Sequence, residues 1–171
     1  SQSIMKKLTK TKISIIGLGF VGAPLAVALA SKRHNSFLYN VVGIDKNNKK
    51  GIDLVKNFNN GKFKFDMADT NLKKLLKKHT KKNLFATTEL DQIKNSNVVI
   101  ITISCNLVNE KYFKKDFNFF INNLKFIFEK ISPNTLIILE STVPPGTCEN
   151  YIYPSLLHIL KKRKVDHKKV Y

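Results

Sequence analysis

Short apolar runs alternate along the chain with longer stretches of helical periodicity, and this alternation predicts strands and helices in turn. Residues 12–16 form a β-branched run that stops at Gly17, as a buried strand does. From Phe20 the period changes: Val21, Leu25, Ala28 and Leu29 share one face of a predicted helix, with Pro24 near its start. Residues 31–39 read as a polar loop, and residues 41–45 as a second strand ending in Asp45. Residues 47–58 suit a helix carrying Ile52 and Val55, closed by the turn Asn59-Asn60-Gly61. Asp69 or Thr70 caps the next helix, which carries Leu72, Leu75 and Leu76.

The second half repeats the scheme. A third strand at 84–87 and a brief helix around 89–94 precede a strong apolar strand at 97–103. A helix starting at Asp116 carries Phe117, Phe120, Ile121, Leu124, Ile127 and Phe128 and breaks at Pro133-Asn134. Residues 135–139 form a fifth strand. Pro144-Pro145-Gly146 then turns the chain into a helix over 147–161, kinked or split by Pro154. Val170 and Tyr171 look like the start of a further strand. Strands and helices alternating at this spacing predict a parallel sheet covered on both faces. The expected fold is therefore a doubly wound α/β single domain over 1–171, strand order 3-2-1-4-5.

Composition changes this picture little. The chain has 171 residues, 43% of them hydrophobic and 25% charged, an ordinary globular balance. No apolar stretch approaches the roughly 20 residues of a membrane-spanning helix, so no membrane is expected. The basic start at 1–12 lacks the apolar block of a secretory signal; a cytoplasmic protein is expected, with Met5 as its natural start. The formal charge of +18 comes from lysines accompanied by many asparagines and isoleucines, a compositional bias rather than a code. Arg33 and Arg163 are the arginines, where readers of nucleic acid prefer arginine forks and stacked aromatics. No specific nucleic-acid partner is expected; the lysines form a solvated surface that attracts anionic nucleotides. Cys105 and Cys148 lack paired spacing and are expected to be reduced thiols, with no metal site. His34, His79, His158 and His167 read as surface residues.

Chemistry enters at Gly17-Leu-Gly-Phe-Val-Gly22, a G-x-G-x-x-G turn between a strand and a helix. Gly17 permits the sharp turn, Gly19 lets backbone approach a pyrophosphate, and Gly22 allows close helix packing. The helix start offers unpaired N–H groups and a positive dipole end to phosphates. Asp45 follows at roughly the twenty-residue spacing of a carboxylate that binds ribose hydroxyls and repels the extra phosphate of NADP. Lys46 and Lys50 beside it pull the other way, but NAD is the expected cofactor. The ends of the last two strands, Ile103-Ser-Cys-Asn106 and Glu140-Ser-Thr-Val-Pro-Pro-Gly-Thr147, must face the same crevice. The second segment suits either a site or a cap followed by a turn.

Taken together, Ile15-Ile-Gly-Leu-Gly-Phe-Val-Gly-Ala-Pro-Leu-Ala26, Val42-Gly-Ile-Asp45 and Glu140-Ser-Thr-Val-Pro-Pro-Gly-Thr147 resemble the N-terminal NAD-binding Rossmann domain of the UDP-glucose/GDP-mannose dehydrogenase family. The form of the last segment is most similar to UDP-N-acetylhexosamine 6-dehydrogenases. The resemblance implies an enzyme that oxidises the C6 alcohol of a UDP-sugar to a carboxylate through a thiohemiacetal and thioester, reducing two NAD, for polysaccharide biosynthesis. It implies that Gly17, Gly19, Phe20, Val21 and Gly22 hold the pyrophosphate, Asp45 the ribose, with Lys50 assisting at the adenosine end. Ile103, Ser104 and Cys105 would line the cofactor, and Ser141, Thr142 and Val143 its nicotinamide side. Thr142 would also hydrogen-bond around the catalytic water and the reacting C6.

The family's Pro-Thr-Pro after the fourth strand is replaced here by Ser104-Cys105-Asn106, so a less rigid turn and a lost threonine contact are expected. Cys105 is not the family's nucleophile. That cysteine, the central helix and the sugar-binding domain fall outside this chain, which is expected to bind NAD without turnover. The full-length enzyme is expected to be a homodimer. The alternative reading is a freestanding NAD- or nucleotide-sensing regulatory module.

Overall fold

The computed structural model describes residues 10–34, 36–105 and 113–171. Residues 1–9 of the basic start and Asn106 lie outside the described residues. Five strands make one all-parallel sheet: β1 (Thr11–Ile16), β4 (Tyr39–Ile44), β5 (Leu84–Thr87), β6 (Val98–Ile101) and β7 (Leu136–Leu139). Their spatial order is β5-β4-β1-β6-β7, which is the expected 3-2-1-4-5. The last row of the sheet runs straight across as Thr87, Ile44, Ile16, Ile101 and Leu139. The residues that leave the strands therefore emerge side by side: Asp45, Gly17, Thr102 and Glu140.

Alternation along each strand feeds two cores, because successive side chains face opposite sides. Ile13, Ile15, Val41, Leu84 and Ile100 face α1 (Gly22–Ala30), α2 (Lys49–Asn59) and α3 (Thr70–His79). Ile16, Val42, Ile44, Val99 and Ile101 face α4 (Phe113–Phe128) and α5 (Tyr153–Lys162). One face of α1 differs from expectation. Ala23, Ala26, Val27 and Ala30 are buried, while Leu25 and Leu29 are only partly covered and Val21 is exposed. Small residues at i, i+3, i+4 and i+7 let this helix lie close on the sheet.

Several local readings need correction. Residues 31–39 are not wholly loop: β2 (Arg33–His34) and β3 (Ser36–Phe37) form a small antiparallel pair. The brief helix after β5 is a 3-10 turn, Leu90–Asn95, and β6 ends before Ile103. The last helix begins as a π-helical turn, Cys148–Ile152, which passes directly into α5 with Ile152 and Tyr153 both in helical conformation, and Pro154 stands in the first turn of α5. The expected kink or split near Pro154 appears as this change of helix type, with no break in the helical backbone. His79 is buried, not a surface residue; its Nδ1 lies 3.0 Å from Asn83 Oδ1. Asn83 spends its own amide donors on Ala30 O and Tyr39 O, pinning α1 to β4.

The two sheet edges are treated differently. At β5 the Asn59 side chain accepts from Ala86 N and donates to Ala86 O, and Lys81 N donates to Leu84 O. At β7, Val170 bridges Thr135 in parallel, and Ile137 N donates to Tyr171 O, so the expected further strand begins there.

Candidate functional site

The glycine turn is held in place by its neighbours before any ligand arrives. Gly17 N donates to Ile44 O at 2.8 Å, and Gly17 takes φ of 101°, a backbone conformation open to glycine. Leu18 swings into the core beside Gly43, where the absence of a side chain makes room for it. A Cβ at Gly22 would lie 1.8 Å from Gly17 O, so α1 starts against the turn itself. A Cβ at Gly19, by contrast, would meet nothing within 4 Å. Phe20 is 75% exposed and Val21 is also exposed. Among the described residues the N–H groups of Gly19, Phe20, Val21 and Gly22 have no acceptor. Open space over Gly19 and four unpaired donors at a helix start form a cradle that fits a pyrophosphate.

Asp45 stands beside this cradle at the end of β4. Its Oδ2 accepts from Leu18 N and its Oδ1 from Lys46 N, both at 2.8 Å. Each oxygen keeps a free lone pair. A carboxylate so fixed suits two adjacent ribose hydroxyls. Lys46 turns away, its Nζ 4.5 Å from the Phe119 ring centre on α4. Lys50 is exposed in the first turn of α2 and has no ion pair among the described residues.

The later strands supply the other wall. Ser141 Oγ donates to Ile103 O at 2.6 Å, joining the exits of β6 and β7. Ile103 is half-buried, Ser104 exposed and Cys105 half-buried. Burial, and secondarily the Asp116 carboxylate, push the Cys105 thiol above its ordinary pKa. Thr142 is exposed, Val143 packs on the core of the α4 side, and Thr147 is buried, its N–H donating to Pro144 O. Cys148 is exposed at the start of the π turn.

Two contributors carried no sequence signal. Thr102, read as a strand position, sends its hydroxyl to Ile16 O and Gly17 O. Phe65 lies 4.5 Å, ring centre to ring centre, from Phe20, the last member of a chain of rings that passes through Phe63 to buried Phe58. Neither has a periodic or motif context. A groove of about 600 Å³ between α4 and α5, lined by Phe117, Tyr151 and His158, is separate from the crevice.

Residues 11–170 match the UDP-glucose/GDP-mannose dehydrogenase family, NAD binding domain. The UDP-N-acetyl-D-mannosamine dehydrogenase of Methanococcus maripaludis (strain C7) is 34% identical over 158 residues, 91% of this chain and 33% of that protein. The UDP-N-acetyl-D-glucosamine 6-dehydrogenase of Salmonella typhi is 31% identical over 150 residues, 87% of this chain and 31% of that protein. The chain thus spans about a third of the length of these relatives. In fold it is similar to the NDP-N-acetyl-D-galactosaminuronic acid dehydrogenase of Methanosarcina mazei Go1, with a TM-score of 0.78 at 23% identity over 94% of this chain and 33% of that one.

Proposed function

The chain belongs to the UDP-glucose/GDP-mannose dehydrogenase family as an NAD-binding domain, and from that premise we propose that it serves a cytoplasmic, homodimeric UDP-N-acetylhexosamine 6-dehydrogenase. The observation that carries the cofactor part is the fixed Asp45 carboxylate beside the open Gly19 cradle. The N–H groups of Gly19 to Gly22 and the dipole of α1 hold the pyrophosphate. Asp45 binds the ribose hydroxyls and discriminates against a phosphate there, with Lys50 at the adenosine end. Ile103, Ser104 and Cys105 line the β6 side, and Ser141, Thr142 and Val143 the nicotinamide side. When bound, NAD supplies the hydride acceptor. Thr142, exposed and able to donate and accept at once, orients a water near the reacting carbon. The names of the two relatives above support the choice of an N-acetylhexosamine.

Calorimetric titration of this chain with NAD and with NADP tests the cofactor reading. Saturable NAD binding, with NADP at least about tenfold weaker, is expected, a difference of about 1.4 kcal/mol. Absence of binding at millimolar NAD in a folded sample overturns it. The chain alone is expected to leave UDP-N-acetylhexosamines unoxidised.

A further inference from the structure

The peptide joining Gly17 to Leu18 is gripped from two strands. Its carbonyl accepts from Thr102 Oγ1 at 3.0 Å, on the β6 side. Its N–H donates to Asp45 Oδ2 at 2.8 Å, on the β4 side. In a trans peptide these two groups point in opposite directions, so the two bonds hold one plane from both edges. Gly17 itself does not fix that plane, because a glycine at φ of 101° has other conformations within easy reach. The Thr102 side chain is also close to the helix start: a Cβ at Gly22 would lie 2.5 Å from its Oγ1. Thr102 N donates to Ile16 O at 2.9 Å, and its hydroxyl proton is shared between Ile16 O, at 2.9 Å, and Gly17 O.

We propose that Thr102 is a positioning residue for the dinucleotide, acting through the Gly17–Leu18 peptide on Asp45. Rotation of that peptide removes the Leu18 N–H from Asp45, and the carboxylate then loses one of the two bonds that aim it, keeping only that from Lys46 N. It also moves Gly17 O, against which α1 begins, so the four unpaired N–H groups shift with it. The hydroxyl of Thr102 blocks this rotation without touching the ligand. The inference rests on the NAD-binding reading above.

The test compares Thr102→Val, which keeps the shape and removes the hydroxyl, with Thr102→Ser, which keeps the hydroxyl. NAD affinity is read by calorimetry, and exchange of the Leu18 amide by NMR in the absence of NAD. Thr102→Val is expected to weaken NAD on the order of tenfold and to speed Leu18 exchange; Thr102→Ser is expected to stay within about twofold of the unaltered chain. In an Asp45→Ala background the Val substitution is expected to cost much less, because the two act through one peptide. If Thr102→Val folds poorly, Thr102→Ala replaces it with the same expectations. Unchanged NAD affinity with a protected Leu18 amide in the hydroxyl-free variant overturns the proposal, as does a Thr102→Ser variant as weak as Thr102→Val. Failure of the unaltered chain to bind NAD overturns the cofactor reading; the amide exchange, measured without NAD, then shows separately whether the clamp itself exists.

Discussion

Leu18 fills the space that any side chain at Gly43 would need: a Cβ there would lie 2.4 Å from Leu18 Cδ2. A residue of β4 thus sets the seat of the cofactor turn on β1. Gly43→Ala is expected to destabilise the fold by about 1–3 kcal/mol through overpacking and to weaken NAD binding by displacing Leu18. Urea unfolding checks the first effect and calorimetry the second. An unchanged urea midpoint would mean that Leu18 can rotate aside.

Gly19 and Gly22 separate binding from folding. Gly19→Ala adds a methyl into open space, so stability is expected to change by less than about 1 kcal/mol. The same methyl fills the cradle proposed for the pyrophosphate, and NAD affinity is expected to fall at least about tenfold. Gly22→Ala meets Gly17 O and is expected to lose both stability and NAD binding. Thermal melts paired with titrations distinguish the two patterns.

The elements and their order were legible because both hydrophobic periods are strong in this chain, and the glycine turn because its context is so restrictive. The place of Asp45 beside that turn was legible from its spacing and its position at a strand end. Thr102 was not, since a threonine in a β-branched strand looks like any other strand residue; its role exists only once β6 lies beside β1. Phe65 was hidden for a similar reason, in a segment with no period, where tertiary contact with Phe20 decides its place. The buried face of α1 departs from the apolar pattern because leucines outrank alanines in apolarity, whereas close approach to the sheet favours small side chains. His79 was placed at the surface by its lysine-rich surroundings, yet the buried Asn83 gives it a partner.

The two thiols are expected to differ in reactivity. Cys105 is half-buried and its pKa is raised by desolvation and by Asp116, which lowers its thiolate fraction at neutral pH. Cys148 is exposed. Iodoacetamide at neutral pH should label Cys148 first, with Cys105 catching up as pH rises; mass spectrometry of peptides reads the order. Faster labelling of Cys105 at neutral pH would contradict the assigned environment.

Asp91 ties the 3-10 turn to the segment after α4. Lys130 Nζ lies 2.7 Å from Oδ1 and Lys94 Nζ 2.9 Å from Oδ2, and these bonds hold its pKa down to about 2. A depressed folded pKa means that the contribution is complete above the unfolded value of about 3.9 and is lost as pH falls from there through about 2. A carboxylate NMR titration should place the Asp91 midpoint near the bottom of that window, and Lys130→Ala should raise it. A midpoint near the ordinary aspartate value would refute the pairing.

Asn59 satisfies both outward-facing groups of Ala86 with one side-chain amide. Asn59→Leu is expected to cost about 1–3 kcal/mol, and the Ala86 amide should exchange with solvent faster than its neighbours in β5. Preserved protection at Ala86 would show that another group takes over.

That amide also decides how copies of this chain can go wrong. With Ala86 occupied by Asn59 and the Leu84 carbonyl by Lys81, the β5 margin offers a passing strand little to template on. The β7 margin is itself partly taken by Val170 and Tyr171, so neither edge of the sheet lies open along its whole length to a misfolding chain that recruits others by strand addition. A fibre grows only where both margins stay open, and here each is already partly occupied.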